Sequence, residues 1–172
     1  KVWRIGFLSY GSRQSAVDTG RYGAFLQGMH ERGHFDGKTF MVEARYADGK
    51  AERLPAFAAE LLHSKVDVIV TYGTPANHAA RKATATVPIV MTLSIDPVGE
   101  GLAASLARPG GNLTGLSNVS RELSQKHVEL LKTLVPALSH IAVLWNSSNP
   151  GHPAQLKAVE ATAQTLGVRV LA

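Results

Sequence analysis

The alternation of short β-branched apolar runs with helix-forming segments constrains this chain more than any other sequence feature. Its clearest instance covers residues 66–83, which read VDVIVTYGTPANHAARKA. Residues 67–71 have the composition of a strand that is buried on both faces of a parallel sheet. Gly73 then turns the chain, and Pro75 favours the start of a helix. This pattern predicts an α/β fold, a parallel sheet with right-handed crossovers and helices on both faces.

The rest of the chain repeats the pattern, with its sharpest break in composition at residues 108–112. The first helix is predicted from a cap at Asp18 or Thr19 to a stop at Gly33. The strand at 39–45 alternates apolar with polar residues, which is typical of a position near the sheet edge. The other strands are predicted at 2–8, 67–71, 87–92, 113–117, 141–145 and 169–171, and the other helices at 51–64, 75–84, a segment ending near 106, 121–134 (with Leu123, Val128, Leu131 and Leu134 inside) and 153–166.

Three polar loops follow the carboxyl ends of predicted strands, at residues 9–12, 72–74 and 92–96. Ligands of open parallel sheets bind beyond these ends, so we expect the loops to converge on one crevice. At residues 72–74 the free N–H groups and the dipole of the following helix favour an anion, and the Thr74 hydroxyl adds a donor. The same residues also fit a simple turn with Thr74 as N-cap, and both alternatives stay open.

Composition excludes several classes of protein. The net charge is +5, but the basic residues are scattered, so no nucleic-acid partner is expected. No apolar run reaches the roughly 20 residues that span a bilayer. The absence of cysteine excludes disulfides, thiol catalysis and cysteine zinc sites. Lys1 stands directly before a strand, as expected for a secreted protein whose signal peptide has been removed.

The sequence motifs of enzymes, cofactor sites and metal sites are absent, incomplete or misplaced in this chain. Residues 99–104 match G-x-G-x-x-A, but they lie several residues beyond their strand, and no phosphate-binding GxxxxGK[ST] occurs. Ser117 lacks the second glycine of a nucleophile elbow. His30 and His34 stand four residues apart without an HExxH frame. We therefore expect no cofactor, no metal and no catalytic residues.

Several motifs, in order along nearly the whole chain, resemble one family. They are LPA at 54–56 with AEL at 59–61, VDVIV at 66–70, GTPA at 73–76, VPIV at 87–90, DPVG at 96–99 and LAASLARPGGNLTG at 102–115. The run ARPGGN-x-TG is the most specific of them. The chain resembles the substrate-binding proteins of ABC transporters with the type I periplasmic fold, in the branch that includes aromatic amino-acid binders.

The resemblance implies two Rossmann-like lobes that clamp a small ligand between them. Residues 1–115 would form the first lobe, and residues 116–172 the crossover and an incomplete start of the second. Family members are longer, so we expect this chain to be part of a longer protein. The implied ligand is an amino acid or related carboxylate, with an aromatic one as the narrower expectation. The implied partner is an ABC permease in the membrane, and the implied location is the periplasm or another extracytoplasmic space.

The resemblance also implies positions for the ligand contacts. Asp96, before Pro97, fits a turn as well as a ligand contact. Tyr10 fits either stacking on an apolar ligand group or a surface position. Asn118 and Asn146 would face the ligand from across the cleft, although the sequence favours turn roles for both. Gly110 and Gly111 fit backbone turns at the hinge. The expected ligand-binding residues are Ser9, Tyr10, Gly73, Thr74, Ser94, Asp96, Asn118 and Asn146.

Two other functions stay open at this point. The same two-lobed fold also serves as the ligand-sensing domain of receptors and regulators, because fold alone does not fix function. An α/β enzyme is the second alternative, and the lack of a nucleophile paired with a base counts against it.

Overall fold

The computed structural model of the chain describes residues 1–118 and 120–172. Parallel strands form a five-stranded sheet in the order β2-β1-β3-β4-β5. The predicted edge position of the second strand is confirmed, and so is the predicted α/β class. The strands of this sheet are β1 (Trp3–Ser9), β2 (Phe40–Tyr46), β3 (Val68–Tyr72), β4 (Ile89–Ser94) and β5 (Leu113–Ser117).

Helices fill the first three crossovers of this sheet, from β1 to β4, as the alternation predicts, whereas the connection from β4 to β5 consists of turns. A single 3₁₀ turn, Ala51–Arg53, leads into the third helix. The helices are α1 (Arg13–Asp18), α2 (Arg21–Glu31), α3 (Leu54–His63), α4 (Thr74–Ala83), α5 (Ser120–Leu134) and α6 (His152–Thr165).

Alternate strand residues face opposite sides of the sheet and build two cores. Leu8, Ile69 and Ile89 face α3 and α4, and all three are fully buried. Phe7 and Val70 face the other side, where they pack beneath α2. The strands are therefore apolar on both faces, which explains why they read as continuous β-branched runs.

The α2 side of β4 and β5 has no helix over it in the part of the chain that the structure describes. Val90 and Leu116 lie on this side, and the Leu116 side chain is 69% exposed. Both residues continue the row of side chains that α2 covers on β1, β2 and β3. The five-stranded sheet is thus covered more completely on the α3–α4 face than on the α2 face.

The start of the first helical region differs from the prediction. Ser12, not Asp18 or Thr19, is the side-chain cap: its Oγ accepts a hydrogen bond from Ser15 N at 3.0 Å and begins α1. Gly20 then adopts a left-handed conformation, with φ of 67°, and α2 starts after it without a side-chain cap. The helical spacing of the apolar residues did not reveal this break because the glycine lies between two short helical stretches.

The predicted helical segment ending near residue 106 is wrong. Pro97 O accepts hydrogen bonds from Leu102 N at 2.8 Å and Ala103 N at 3.0 Å, which closes a turn instead of a helix. Gly101 has φ of 71°, a left-handed conformation that interrupts helical geometry. Asp96 Oδ1 accepts a hydrogen bond from Gly99 N at 2.9 Å and fixes the start of this turn.

Residues 120–172, here named the C-terminal segment, form a second small unit. A parallel pair of strands, β6 (His140–Ala142) and β7 (Arg169–Leu171), packs with α5 and α6 around Val128, Val159 and Val168. The predicted strand at 141–145 is shorter than expected and ends at Ala142.

The predicted inner face of α5 is wrong except at Val128, which is buried. The other predicted core residues, Leu123, Leu131 and Leu134, are exposed, with Leu134 at 77%. Helix α5 packs on α6, and a sheet of two strands is too narrow to cover a whole apolar stripe. The helical period therefore identified the helix correctly but not its partner.

Candidate functional site

The carboxyl ends of the strands bring polar residues to one edge of the five-stranded sheet. Ser9, the last residue of β1, is level with Tyr72 at the end of β3 and Tyr46 at the end of β2. Ser94 at the end of β4 is level with Ser117 at the end of β5. The predicted convergence of the strand-end loops thus follows directly from the parallel registers. This row of strand ends is named the carboxyl edge below.

Gly73 and Thr74 connect β3 to α4 at the middle of the carboxyl edge. Gly73 is the N-cap residue with φ of 92° and ψ of 143°, and Thr74 is the first residue of the helix. The simple alternative, with Thr74 as N-cap, is wrong, because this helix has no side-chain cap bond. The Thr74 side chain is buried.

A buried hydrogen-bond network holds the start of α4 against the strand ends. Asn77, which is 0% exposed, accepts a hydrogen bond at Oδ1 from Thr71 Oγ1 at 2.7 Å. Its Nδ2 donates to Leu93 O at 2.9 Å. Thr92 Oγ1 donates to Thr71 O at 2.8 Å and joins the two strands again. Buried amides whose donors and acceptors are satisfied fix one geometry, so this network fixes the Gly73–Thr74 connection.

Sequence reasoning missed Asn77 and Thr71. A signal was present, because asparagine is a poor residue for a helix interior unless its side chain has a partner. The tight β3–α4 turn also places residue 77 one helical turn beyond the strand end, where such a partner is available.

Tyr10 and Asn146 are the predicted residues that join the two units. Tyr10 N donates to Tyr72 O at 3.0 Å, so the loop after β1 stays tied to β3. Asn146 Nδ2 donates to the Tyr10 hydroxyl at 3.4 Å, and Asn146 Oδ1 accepts from Ser148 N at 2.9 Å. The loop after β6 therefore lies over the carboxyl edge, next to Tyr10.

The two predicted residues near the end of β4 lie in different environments. Ser94 is fully buried, and its Oγ lies 3.4 Å from Glu100 Oε2. Asp96 fixes the turn described above through Gly99, which matches the turn alternative from the sequence. Asn118 has an exposed side chain, while its backbone N donates to Ser94 O at 3.1 Å.

Glu100 also borders the carboxyl edge and was not among the predicted residues. A Cβ placed on Gly151 would lie 2.7 Å from Glu100 Oε1 and 3.2 Å from Ile95 Cδ1. The loop that precedes α6 therefore packs on the turn after β4. The sequence signal of Glu100 was weak, because Gly99 and Gly101 on either side of it match the G-x-G-x-x-A pattern instead.

Tyr46, at the end of β2, has a partly buried side chain at this edge. Burial raises the pKa of the Tyr46 hydroxyl above its ordinary value, and the nearby Arg13 lowers it by a smaller amount. Tyr46 therefore stays protonated near neutral pH. Tyr22, a residue of α2 that packs against Phe7, shows the same effect: burial raises its pKa.

Cavities near the edge differ in size and character. A void of about 10 Å³ is bordered by Ser9, Ser12 and Tyr72. A much larger open groove of about 520 Å³ lies on the α2 side of the sheet, where it is bordered by Phe25, Arg21 and Tyr72. The Arg21 guanidinium carbon stands 4.9 Å from the centre of the Tyr72 ring. The predicted ligand-binding residues thus lie in closely packed surroundings rather than along this groove.

The residues that the structure describes contain no group of three or more histidine, aspartate or glutamate side chains placed to hold a metal ion. The His30 ring instead packs edge-on against Phe35, with centroids 4.3 Å apart. Among these same residues, no helix is long and apolar enough to cross a membrane.

Known proteins share both the sequence pattern and the fold. A tyrosine-binding protein of Clostridioides difficile (strain R20291) is 34% identical over 136 residues, which cover 78% of this chain and 39% of that protein. A crystal structure of a conserved domain protein from Vibrio cholerae is 30% identical with a TM-score of 0.88, and 99% of this chain covers 56% of it. The structure of an ABC domain from Streptococcus pneumonia in complex with L-Trp is 29% identical with a TM-score of 0.85, over the same shares of the two chains.

The chain therefore spans about two fifths of the curated relative and about half of these solved structures. The sequence profile of a family described as ABC transporter substrate binding protein matches residues 8–172, which is nearly the whole chain. The resemblance given by the motifs is thus confirmed, and the chain belongs to the ABC transporter substrate-binding proteins, a family of binding proteins rather than enzymes.

Proposed function

We propose that this chain is part of the solute-binding component of an ABC importer and binds an amino acid, specifically an aromatic one. The ligand would lie in a cleft between the five-stranded sheet and the C-terminal segment, which correspond to the two predicted lobes. The observation that carries this proposal is the carboxyl edge, where the strand-end loops meet the loop after β6. A membrane permease and an extracytoplasmic location follow from the importer role.

The start of α4 suits the carboxylate of such a ligand. Helix α4 begins at the carboxyl edge with Thr74, and the helix dipole is positive at this end. Pro75 has no N–H, and Ala76 N and Asn77 N both donate to Gly73 O, at 3.0 and 3.1 Å, so Thr74 N is the helix donor that is left for a ligand. The network around Asn77 holds this donor in place before a ligand arrives, which lowers the ordering cost of binding.

Tyr10 suits the apolar part of the ligand. Its ring is half-buried, and its hydroxyl reaches Asn146 of the C-terminal segment. Aromatic side chains bury large areas and favour stacked or edge-on partners, so an aromatic ligand would gain more here than an aliphatic one. The relatives described as tyrosine-binding and as holding L-Trp support this choice.

Replacement of Thr74 with valine in the whole protein tests the site. Valine keeps the shape and removes the hydroxyl, so binding of L-tyrosine or L-tryptophan is expected to weaken by about 1.5–3 kcal/mol, the worth of a hydrogen bond to a charged group. This equals roughly a 10- to 150-fold higher Kd in calorimetry. Thr114→Val, on the exposed face of β5, is the matched control and should leave Kd unchanged. An unchanged Kd for Thr74→Val would remove Thr74 from the site, and an absence of amino-acid binding by the wild type would refute the function.

A further inference from the structure

Glu100 is a buried acid with an unsatisfied oxygen. Its side chain is only 8% exposed, and Oε2 has two polar neighbours, Ser94 Oγ at 3.4 Å and His78 Nε2 at 3.7 Å. Oε1 is buried and has no hydrogen-bond partner among the residues that the structure describes. A buried charged group without a partner costs more than a neutral one, so such an atom indicates a missing contact.

The unsatisfied oxygen lies where the two units pack together. A Cβ built on Gly151, the N-cap residue of α6, would lie 2.7 Å from Oε1, so the Gly151 backbone packs closely against this oxygen. Any side chain at residue 151 would meet Oε1, so this close packing requires glycine. Glu100 therefore presents an acceptor to the boundary between the two units, at which we propose that the ligand binds.

The two ends of the site have opposite polarity. The start of α4 attracts negative charge. His78 lies one helical turn beyond Thr74, and Glu100 lies next to it, so a negative group stands close to the positive helix end. An amino acid carries a carboxylate and an ammonium group a few ångströms apart, and it matches both.

We propose that Glu100 accepts a hydrogen bond from the ammonium group of the ligand and selects amino acids over acids that lack an amine. This inference rests on the proposed function. A carboxylate with a free oxygen gains most from a charged donor, because charge-assisted hydrogen bonds are shorter and stronger than neutral ones. The ammonium group would supply the partner that Oε1 lacks.

Calorimetry on the whole protein with two ligands tests the proposal: L-tyrosine, and 3-(4-hydroxyphenyl)propanoate, which is the same molecule without its amine. In Glu100→Gln the Kd of L-tyrosine is expected to rise at least about tenfold, which equals about 1.4 kcal/mol. The Kd of the propanoate should change less than about twofold, since it makes no contact with Oε1. Glu52→Gln removes the same charge from an exposed position and is the matched control. Urea unfolding of each variant verifies that it folds.

The outcomes separate the two hypotheses. A selective loss for L-tyrosine supports the ammonium contact. An equal loss for both ligands overturns it, because the carboxylate would then act through the packing of the C-terminal segment. No change for either ligand overturns it as well. If the wild type binds the propanoate but no amino acid, both the ammonium contact and the proposed amino-acid function fail. If the wild type binds L-tyrosine, the proposed function stands, whatever the Glu100 variant shows.

Discussion

Replacement of Asn77 with alanine should destabilise the protein more than its position on a helix suggests. The variant leaves two groups without their partners, the buried Thr71 hydroxyl and the partly buried Leu93 carbonyl. An unsatisfied buried group costs about 1–3 kcal/mol. Alanine is a better helix former than asparagine and regains about 0.6 kcal/mol. After partial relaxation of the neighbours, the expected loss in free energy of unfolding is about 2–4 kcal/mol.

Urea unfolding at 25 °C measures this loss, and a double-mutant cycle shows how much of it comes from the contact between Asn77 and Thr71. Thr71→Val removes the hydroxyl that Asn77→Ala leaves unpaired, so the double variant should lose less than the sum of the two single variants. Lys82→Ala, on the exposed side of the same helix, is the control and should change stability by less than about 0.5 kcal/mol.

Two results would refute this reasoning about the network. One is a loss below about 0.5 kcal/mol for Asn77→Ala, which is the size of an ordinary surface substitution. The other is additivity of Asn77→Ala and Thr71→Val within about 0.3 kcal/mol, which would mean that the two side chains do not depend on each other.

Two further perturbations test the β3–α4 connection and the start of β3. Gly73→Ala should lower the free energy of unfolding by about 1–3 kcal/mol, because φ of 92° is strained for alanine and its Cβ would lie 3.2 Å from Tyr10 Cβ. Gly28→Ala, in open space on α2, is the control and should not destabilise the protein. Equal melting temperatures for the two variants would show that the backbone at Gly73 is not strained by a side chain. Hydrogen bonds from Arg4 N and Lys1 Nζ lower the pKa of Asp67 below 3.8, so its contribution to stability is present above that pH and is lost as the pH falls through the folded value. The stability difference between wild type and Asp67→Asn should therefore shrink in acid urea titrations, and a difference that stays constant from pH 6 to about pH 2 would contradict this assignment.

The strands could be predicted well from the sequence, because a strand with apolar neighbours on both faces is a continuous apolar run. Residues such as Ile69 and Val70 face opposite cores, so both must be apolar and the run is continuous. Helix ends were predicted less well. Gly20 and Gly101 redirect the chain by a local backbone conformation that leaves the apolar spacing around them unchanged. The apolar residues of α5 showed a helix, yet their burial depends on neighbours that no local pattern encodes.

The candidate site was predicted in outline for a similar reason. The parallel registers fix which loops meet, so Ser9, Thr74 and Ser94 could be assigned to one edge without coordinates. The links between elements could not be assigned. Asn77 bonds to Leu93 and Glu100 approaches Gly151, and both contacts join residues that are far apart in the sequence. Such pairings depend on how loops cross the edge, which a single sequence does not state.

The distribution of hydrogen bonds fits different roles for the two units in the proposed ligand binding. On the five-stranded sheet, the Gly73–Thr74 connection is held by bonds from Asn77 to β3 and to the end of β4, all within one rigid unit. At the boundary between the two units, in the part of the chain that the structure describes, Asn146 reaches Tyr10 through a long bond of 3.4 Å, and Gly151 packs on Glu100 without a hydrogen bond between them. Contacts within a packed unit persist while weak contacts between units exchange readily. We therefore expect the five-stranded sheet to hold the charged groups of the ligand first, and the C-terminal segment to close over it afterwards, with water exclusion strengthening the polar contacts already formed.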